Sequence, residues 1–180
     1  MSTERIQTIL GELNKRQEEN RLNYYQPYEF QKRFHKAGSE SSQRLLMAAN
    51  RVGKSYVGAM EMSAHLTGLY PKWWKGKKYD KPIRAWVCGA SNETTRDILV
   101  KHKSGGWSRV AFKAYEMGAE KFMGESLDII WLDEEPPQDI YSQCITRTLD
   151  KRGQVYLTFT PESGMTEVVQ NFTSDLRPGQ

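Results

Sequence analysis

Two groups of residues in this sequence have the types and spacing needed for chemistry on a polyphosphate. The first is Ala48-Ala49-Asn50-Arg51-Val52-Gly53-Lys54-Ser55, which has the spacing of a phosphate-binding loop with Ala48 standing where the first glycine is usual. In such a loop the backbone N–H groups and the start of the next helix point at phosphate oxygens. Lys54 neutralises the β and γ phosphates, and the Ser55 hydroxyl ligates Mg²⁺. The second group is Asp133-Glu134-Glu135, three acids that follow the apolar run 127–132. A carboxylate at the end of a buried strand can hold Mg²⁺, usually through its water shell, which is the role expected of Asp133. Glu134 is placed to orient and deprotonate an attacking water. The two groups together imply ATP and Mg²⁺ as ligands and hydrolysis as the reaction.

These residues need elements to position them. Residues 3 to about 22 are polar with Ile6, Ile9, Leu10 and Leu13 at helical spacing, which predicts an outer amphipathic helix, assigned to residues 1–23. Tyr24, Tyr25, Tyr28, Phe30 and Phe34 lead into a short helix that Gly38 should end in the left-handed cap conformation. A short apolar run at 45–47 precedes the phosphate loop and a helical pattern at 56–66 follows it, giving strand, loop, helix. Further strands are expected at 83–89, 110–112, 127–132 and 155–159, with a polar helix from Asn92 and another helix at 140–149. Apolar runs alternating with helices predict an α/β fold, with a mainly parallel sheet covered by helices on both faces. Residues 174–180 read as a frayed end or the start of a linker.

Composition narrows the class. A chain of 180 residues with 38% hydrophobic and 27% charged residues has the makeup of one soluble globular domain. No apolar run approaches the roughly 20 residues that span a bilayer, and the N-terminus lacks the order of a signal peptide, so a cytoplasmic protein without a membrane partner is expected. Cys88 and Cys144 sit far apart in apolar surroundings and read as reduced core residues. The net charge of +4 permits a polyanionic partner without demanding one.

At this point the chain resembles the large subunit of tailed-phage DNA-packaging terminases, in its N-terminal ATPase part. The resemblance is carried by Pro27-Tyr28-Glu29-Phe30-Gln31, Asn50 to Ser55, Ser104-Gly105-Gly106, Trp131-Leu132-Asp133-Glu134-Glu135-Pro136-Pro137, Thr146-Arg147-Thr148 and Leu157-Thr158-Phe159-Thr160-Pro161. It implies a P-loop NTPase fold of the additional-strand, catalytic-Glu type over residues 24–173. It also implies that Gln31 reads adenine, that Arg51 senses or stabilises the γ-phosphate, and that Thr158 and Thr160 couple hydrolysis to DNA movement. The partners it implies are double-stranded DNA, a portal protein, a small terminase subunit and a homo-oligomeric ring in the cytoplasm of a host cell. Arg147 could serve a neighbouring subunit or pair with Asp150 on its own surface.

Two departures from that family stand out. Family members continue into a carboxylate-rich nuclease domain, and this sequence stops soon after Thr160-Pro161, so DNA cleavage is not expected of it. The stretch joining a helix near 94–99 to Lys101-His102-Lys103 is also short, as if several dozen residues were absent. Lys72, Trp73, Trp74, Lys75, Lys77 and Lys78 combine charge with flat apolar faces and are candidate DNA contacts; the alternative is a solvated loop whose Trp residues pack on the domain. Rival readings are a helicase-like ATPase, which shares a Gln before the loop and an Asp-Glu pair, and an inactive truncated fragment that binds nucleotide, or merely folds, without turnover.

Overall fold

The computed structural model describes residues 3–90, 97–161 and 164–173. Its centre is a six-stranded sheet of β1 (Gln43–Met47), β2 (Arg84–Gly89), β3 (Asp97–Lys101), β4 (Trp107–Ala114), β5 (Ile129–Asp133) and β6 (Gln154–Phe159). The spatial order is β1-β6-β5-β2-β4-β3, and every neighbouring pair is parallel except β3 with β4. The strand β6 therefore lies between the strand that leads into the phosphate loop and the strand that ends in Asp133. This is the additional-strand arrangement of P-loop NTPases.

Alternation along the strands splits the apolar side chains between two cores. Ile129, Trp131 and Tyr156 face α2 (Glu29–Ala37) and α3 (Lys54–Thr67), where they meet Phe34, Val57, Met62 and Leu66. Ile130, Leu132, Val155 and Leu157 face the other way, onto Ile140, Tyr141 and Cys144 of α4 (Gln138–Leu149) and Val168 and Val169 of α5 (Glu167–Thr173). The central strands are buried on both sides, which is why they read as continuous apolar runs. Cys88 and Cys144 are free and buried in the second of these cores. The first helix, α1 (Thr3–Glu19), forms as its periodicity predicts, but Ile6, Ile9, Leu10 and Leu13 are all exposed.

Four local expectations are corrected. Gly38 does follow α2, but with φ −65° in the right-handed region. What a side chain there would meet instead is the Arg44 guanidinium, 2.8 Å from an added Cβ, which would have to shift. Where a polar helix was expected to run through Leu99, residues 97–101 form β3, antiparallel to β4; the start of that expectation, at 92–96, lies outside the described residues, as does the tail 174–180. Parallel neighbours such as β2 and β4 normally require a crossover of a dozen or more residues, usually a helix. Here the chain between them contains an edge strand, and β4 is longer than the run 110–112 because β3 pairs with it from Trp107 and β2 pairs with it through Ala114. Finally, the strand expected at 83–89 starts one residue later, with Ile83 buried beside Phe34 and Val110.

Candidate nucleotide site

The phosphate loop joins β1 to α3, and its backbone follows from its residues. Gly53 has φ +83°, a left-handed conformation that glycine adopts without steric cost. Arg51, at φ +65°, takes the same conformation with a side chain. Ala48 is absent from the positive-φ residues among those described, so alanine meets no backbone strain at the position where glycine is usual. The helix α3 starts at Lys54, leaving its first N–H groups facing the loop.

The two sequence motifs converge at the carboxyl ends of β1, β6 and β5. Lys54 Nζ donates to the Ala49 carbonyl and to Thr160 Oγ1, both at 2.7 Å. Thr160 Oγ1 lies 2.7 Å from Asn50 Oδ1 and 3.1 Å from the Ala48 carbonyl, so its single proton has two acceptors, both in the loop. Ser55 Oγ donates to Asp133 Oδ1 at 3.0 Å, and Thr158 Oγ1 donates to the same oxygen at 2.7 Å. Trp131 Nε1 in turn donates to Thr158 Oγ1 at 2.7 Å. The direction of this relay is set by chemistry: an indole N–H only donates and a carboxylate only accepts, so the one hydroxyl proton of Thr158 goes to Asp133. The register explains the contact, because Asp133 and Thr158 are paired residues of β5 and β6.

Around these groups lies a cleft of about 880 Å³ lined by Asn50, Arg51, Lys54, Ser55, Asp133 and Glu134, among others. That volume lies within the range of small-molecule sites. Glu135 accepts a hydrogen bond from Thr166 Oγ1, just before α5, and so closes one wall of the cleft. Pro136 and Pro137 carry the chain from the carboxylates into α4.

The remaining candidates are distributed differently. Gln31 is 4% exposed and is not among the residues lining the cleft. Its Oε1 accepts the Tyr28 N–H at 2.9 Å, while its Nε2 would lie 3.6 Å from a Cβ on Gly53, directly behind the loop. The Lys/Trp segment is at the opposite end of the sheet, where Lys77 Nζ donates to the Arg152 carbonyl ahead of β6. Trp74 is 5% exposed, with its Nε1 bonded to the Lys77 carbonyl and its ring against His35, His65 and Tyr70. Trp73 packs on Tyr25 and His35. Trp74 therefore has no free face for stacking a base, because the domain already uses it; Lys72, Lys75 and Lys78 remain exposed. Two contributors to the site had no sequence-based expectation. Trp131 stands two residues before Asp133 in β5, so strand alternation alone puts it on the same face. Tyr115, whose hydroxyl touches the carboxylate turn, comes from the turn directly after β4 and has no local signal.

A mostly parallel sheet with an inserted strand, a phosphate loop at one strand end and an acidic pair at another defines a P-loop NTPase fold. The chain belongs to the terminase large subunit family: residues 45–178 match the N-terminal family model of the T4-like type. It is 33% identical to the terminase large subunit of Salmonella phage P22 over 220 residues, a match that takes in 87% of this chain and 44% of that protein. The chain thus spans less than half the length of this relative, and several dozen positions of the matched stretch have no counterpart in its 180 residues. Its fold is similar to the large terminase ATPase domain of Thermus phage P74-26, with a TM-score of 0.66 and 18% identity over 89% of this chain and 75% of the other. No helix among the described residues is long and apolar enough to cross a membrane.

Proposed function

We propose that this chain is the ATP-hydrolysing motor portion of a terminase large subunit, coupling hydrolysis to translocation of double-stranded DNA into a procapsid. The observation that carries the reading is the meeting of Lys54, Ser55, Asp133 and Glu134 in one cleft at the carboxyl ends of the strands. The donor set fits Mg²⁺. Ser55 Oγ and Asp133 Oδ1 are hard oxygen ligands 3.0 Å apart, and no group of three or more His, Cys, Asp or Glu that would make an all-protein cage occurs among the described residues. Mg²⁺ typically uses one or two protein oxygens and completes its shell with water and phosphate. When bound there it would neutralise charge on the β and γ phosphates.

The protein's own groups supply the rest. Lys54 exchanges its contacts with Ala49 and Thr160 for phosphate oxygens, and the helix start and the loop N–H groups bind the phosphates. Arg51 lines the cleft and is available to the γ-phosphate. The Glu134 carboxylate accepts a proton from the water whose oxygen forms the new bond to the γ phosphorus. The bond to the bridging oxygen breaks and ADP and inorganic phosphate result. Because Lys54 holds Thr160 and Asp133 holds Thr158, a change in phosphate occupancy reaches the end of β6 from both sides. That link supports coupling roles for these two threonines. Gln31, behind Gly53, is assigned to adenine. Portal protein, small subunit and sister subunits in a ring are the partners this reading entails, with Lys72, Lys75, Lys77 and Lys78 as candidate DNA contacts.

The test is Mg²⁺-dependent release of phosphate from ATP by the wild type and by Glu134→Gln. A fall in kcat of at least about 10²-fold with nucleotide affinity retained is expected, in line with loss of a general base. Equal rates would refute the role of Glu134. Nucleotide binding without turnover in either protein would favour an inactive fragment, a reading consistent with the positions this chain lacks relative to the phage P22 protein.

A further inference from the structure

Strand alternation poses a problem at the end of β5. Asp133 points to the face of α3, so continuation of the strand would send Glu134 to the opposite face, toward α4. Both residues nevertheless line one cleft, which spans the end of the sheet. The backbone explains how: Glu134 has φ +70°, a left-handed conformation that is strained for a residue with a Cβ and that turns the chain out of the strand. Strain of this kind persists only where its surroundings hold it.

Two hydrogen bonds do so. On one side, the Glu134 N–H donates to the Thr158 carbonyl at 3.0 Å. On the other, the hydroxyl of Tyr115 lies 3.0 Å from the Glu134 carbonyl, 3.2 Å from the Asp133 carbonyl and 3.4 Å from the Cys88 carbonyl. Tyr115 directly follows β4 and reaches across the end of β2 to the end of β5. All three neighbours of its oxygen are acceptors, so its one proton is committed to this cluster, with the Glu134 carbonyl nearest. Tyr115 is itself buried, 7% exposed. No other side chain is recorded bonding the Glu134 carbonyl among the described residues.

We propose that Tyr115 is a positioning residue for hydrolysis: its hydroxyl clamps the Asp133-Glu134 turn in the left-handed conformation that aims the Glu134 carboxylate into the cleft. Asp133 itself is held through its side chain by Ser55 and Thr158, so the clamp acts on the water-activating group and leaves the metal-binding oxygen in place. This deepens the hydrolytic reading and rests on it for the catalytic consequence, while the clamp is a structural claim that stands separately.

The test uses Tyr115→Phe in the full chain, with two readouts. Hydrogen exchange at the Glu134 amide, measured without nucleotide, should accelerate about tenfold or more while amides in the middle of α3 stay unchanged. In the ATPase assay kcat should fall about tenfold, with KM for ATP and the Mg²⁺ requirement unaltered. Unchanged exchange at Glu134 overturns the clamp whatever the activity. Accelerated exchange with wild-type kcat overturns the positioning role, as does a rise in KM in step with the loss of kcat. Accelerated exchange with no hydrolysis by the wild type leaves the clamp standing, refutes its catalytic consequence and refutes the hydrolytic reading. Should the Phe variant not fold, 3-fluorotyrosine placed at 115 tests the same bond from the other side. Its stronger O–H donor should slow exchange at Glu134, and no change overturns the clamp.

Discussion

The two ends of the sheet are both polar, yet they spend their polar groups differently. At the amino end, Glu61, Arg44, His35 and His65 are each 4% exposed or less. Glu61 accepts from Arg44 Nη2 at 2.6 Å and from His35 Nδ1 at 2.7 Å, and lies 3.3 Å from His65 Nε2. Tyr25, Trp73, Trp74 and Tyr70 close around the two imidazoles. At the carboxyl end, Lys54, Ser55, Asp133 and Thr160 also bond to one another, but over a cleft open to solvent. The amino-end contacts are closed off from solvent. Those at the carboxyl end join an ammonium, a hydroxyl and a carboxylate, groups that a phosphate or a cation can take over. What separates the two ends is access, not residue type.

The sharpest way to break this contrast is Glu61→Ala. Removing one partner of a buried pair leaves Arg44 charged and uncompensated, at a cost of about 3–5 kcal/mol. Urea unfolding of the variant should show that loss in full. A change below about 1 kcal/mol would mean that the amino-end cluster is as replaceable as the cleft.

Acid should act on the same cluster. Burial alone would raise the Glu61 pKa, but the Arg44 guanidinium and the hydrogen bonds from His35 and His65 outweigh it and hold the carboxyl well below its usual 4.5. Burial also lowers His65 from 6.5, favouring the neutral ring despite Glu61. Both groups bind protons less readily folded than unfolded, so both contribute stability at higher pH that is lost on acidification. The contribution of His65 starts to fall below about pH 6.5 and that of Glu61 below about pH 4.5, each continuing down through its folded pKa. Urea midpoints measured from pH 8 to pH 4 should decline steadily on the acid side. A flat profile would show that the cluster does not titrate with folding.

The same contrast explains what could be read from the sequence. Fully buried strands such as 129–133 and 154–159 announce themselves as apolar runs, and the phosphate loop and acid pair are local strings whose chemistry needs only their spacing. The polar cluster at the amino end was not legible, because Glu61, His35 and His65 look like the polar residues of any helix surface until α2 and α3 are packed together. Lys and Trp at 72–75 read either as a nucleic-acid surface or as a loop whose Trp residues pack on the domain, and the contacts of Trp74 with this cluster fit the second. The edge strand β3 depends on a pairing with β4 that no local pattern encodes, and Tyr115 acts across an intervening strand. Strings local in the sequence could be read from it; contacts made by the fold between distant segments could not.

Backbone strain gives the smallest effect and the finest comparison. Besides Arg51, the non-glycine residues with positive φ among those described are Glu134 at the carboxyl end, φ +70°, and Arg152 in the turn before β6, φ +47°. A left-handed residue with a Cβ costs roughly 1–2 kcal/mol, and glycine relieves most of this at some entropic cost in the unfolded chain. Glu134→Gly and Arg152→Gly should therefore each raise folding stability by about 1 kcal/mol in urea titrations. Only the first should abolish ATP hydrolysis. The Arg152 backbone bonds, to Leu149 and from Lys77, do not use its side chain and survive the substitution. If both variants gain stability and only Glu134→Gly loses turnover, the strain at the cleft is tied to function while the strain at the opposite end belongs to a turn. Loss of turnover in both would mean that the two ends of the sheet are coupled, against the division their burial implies.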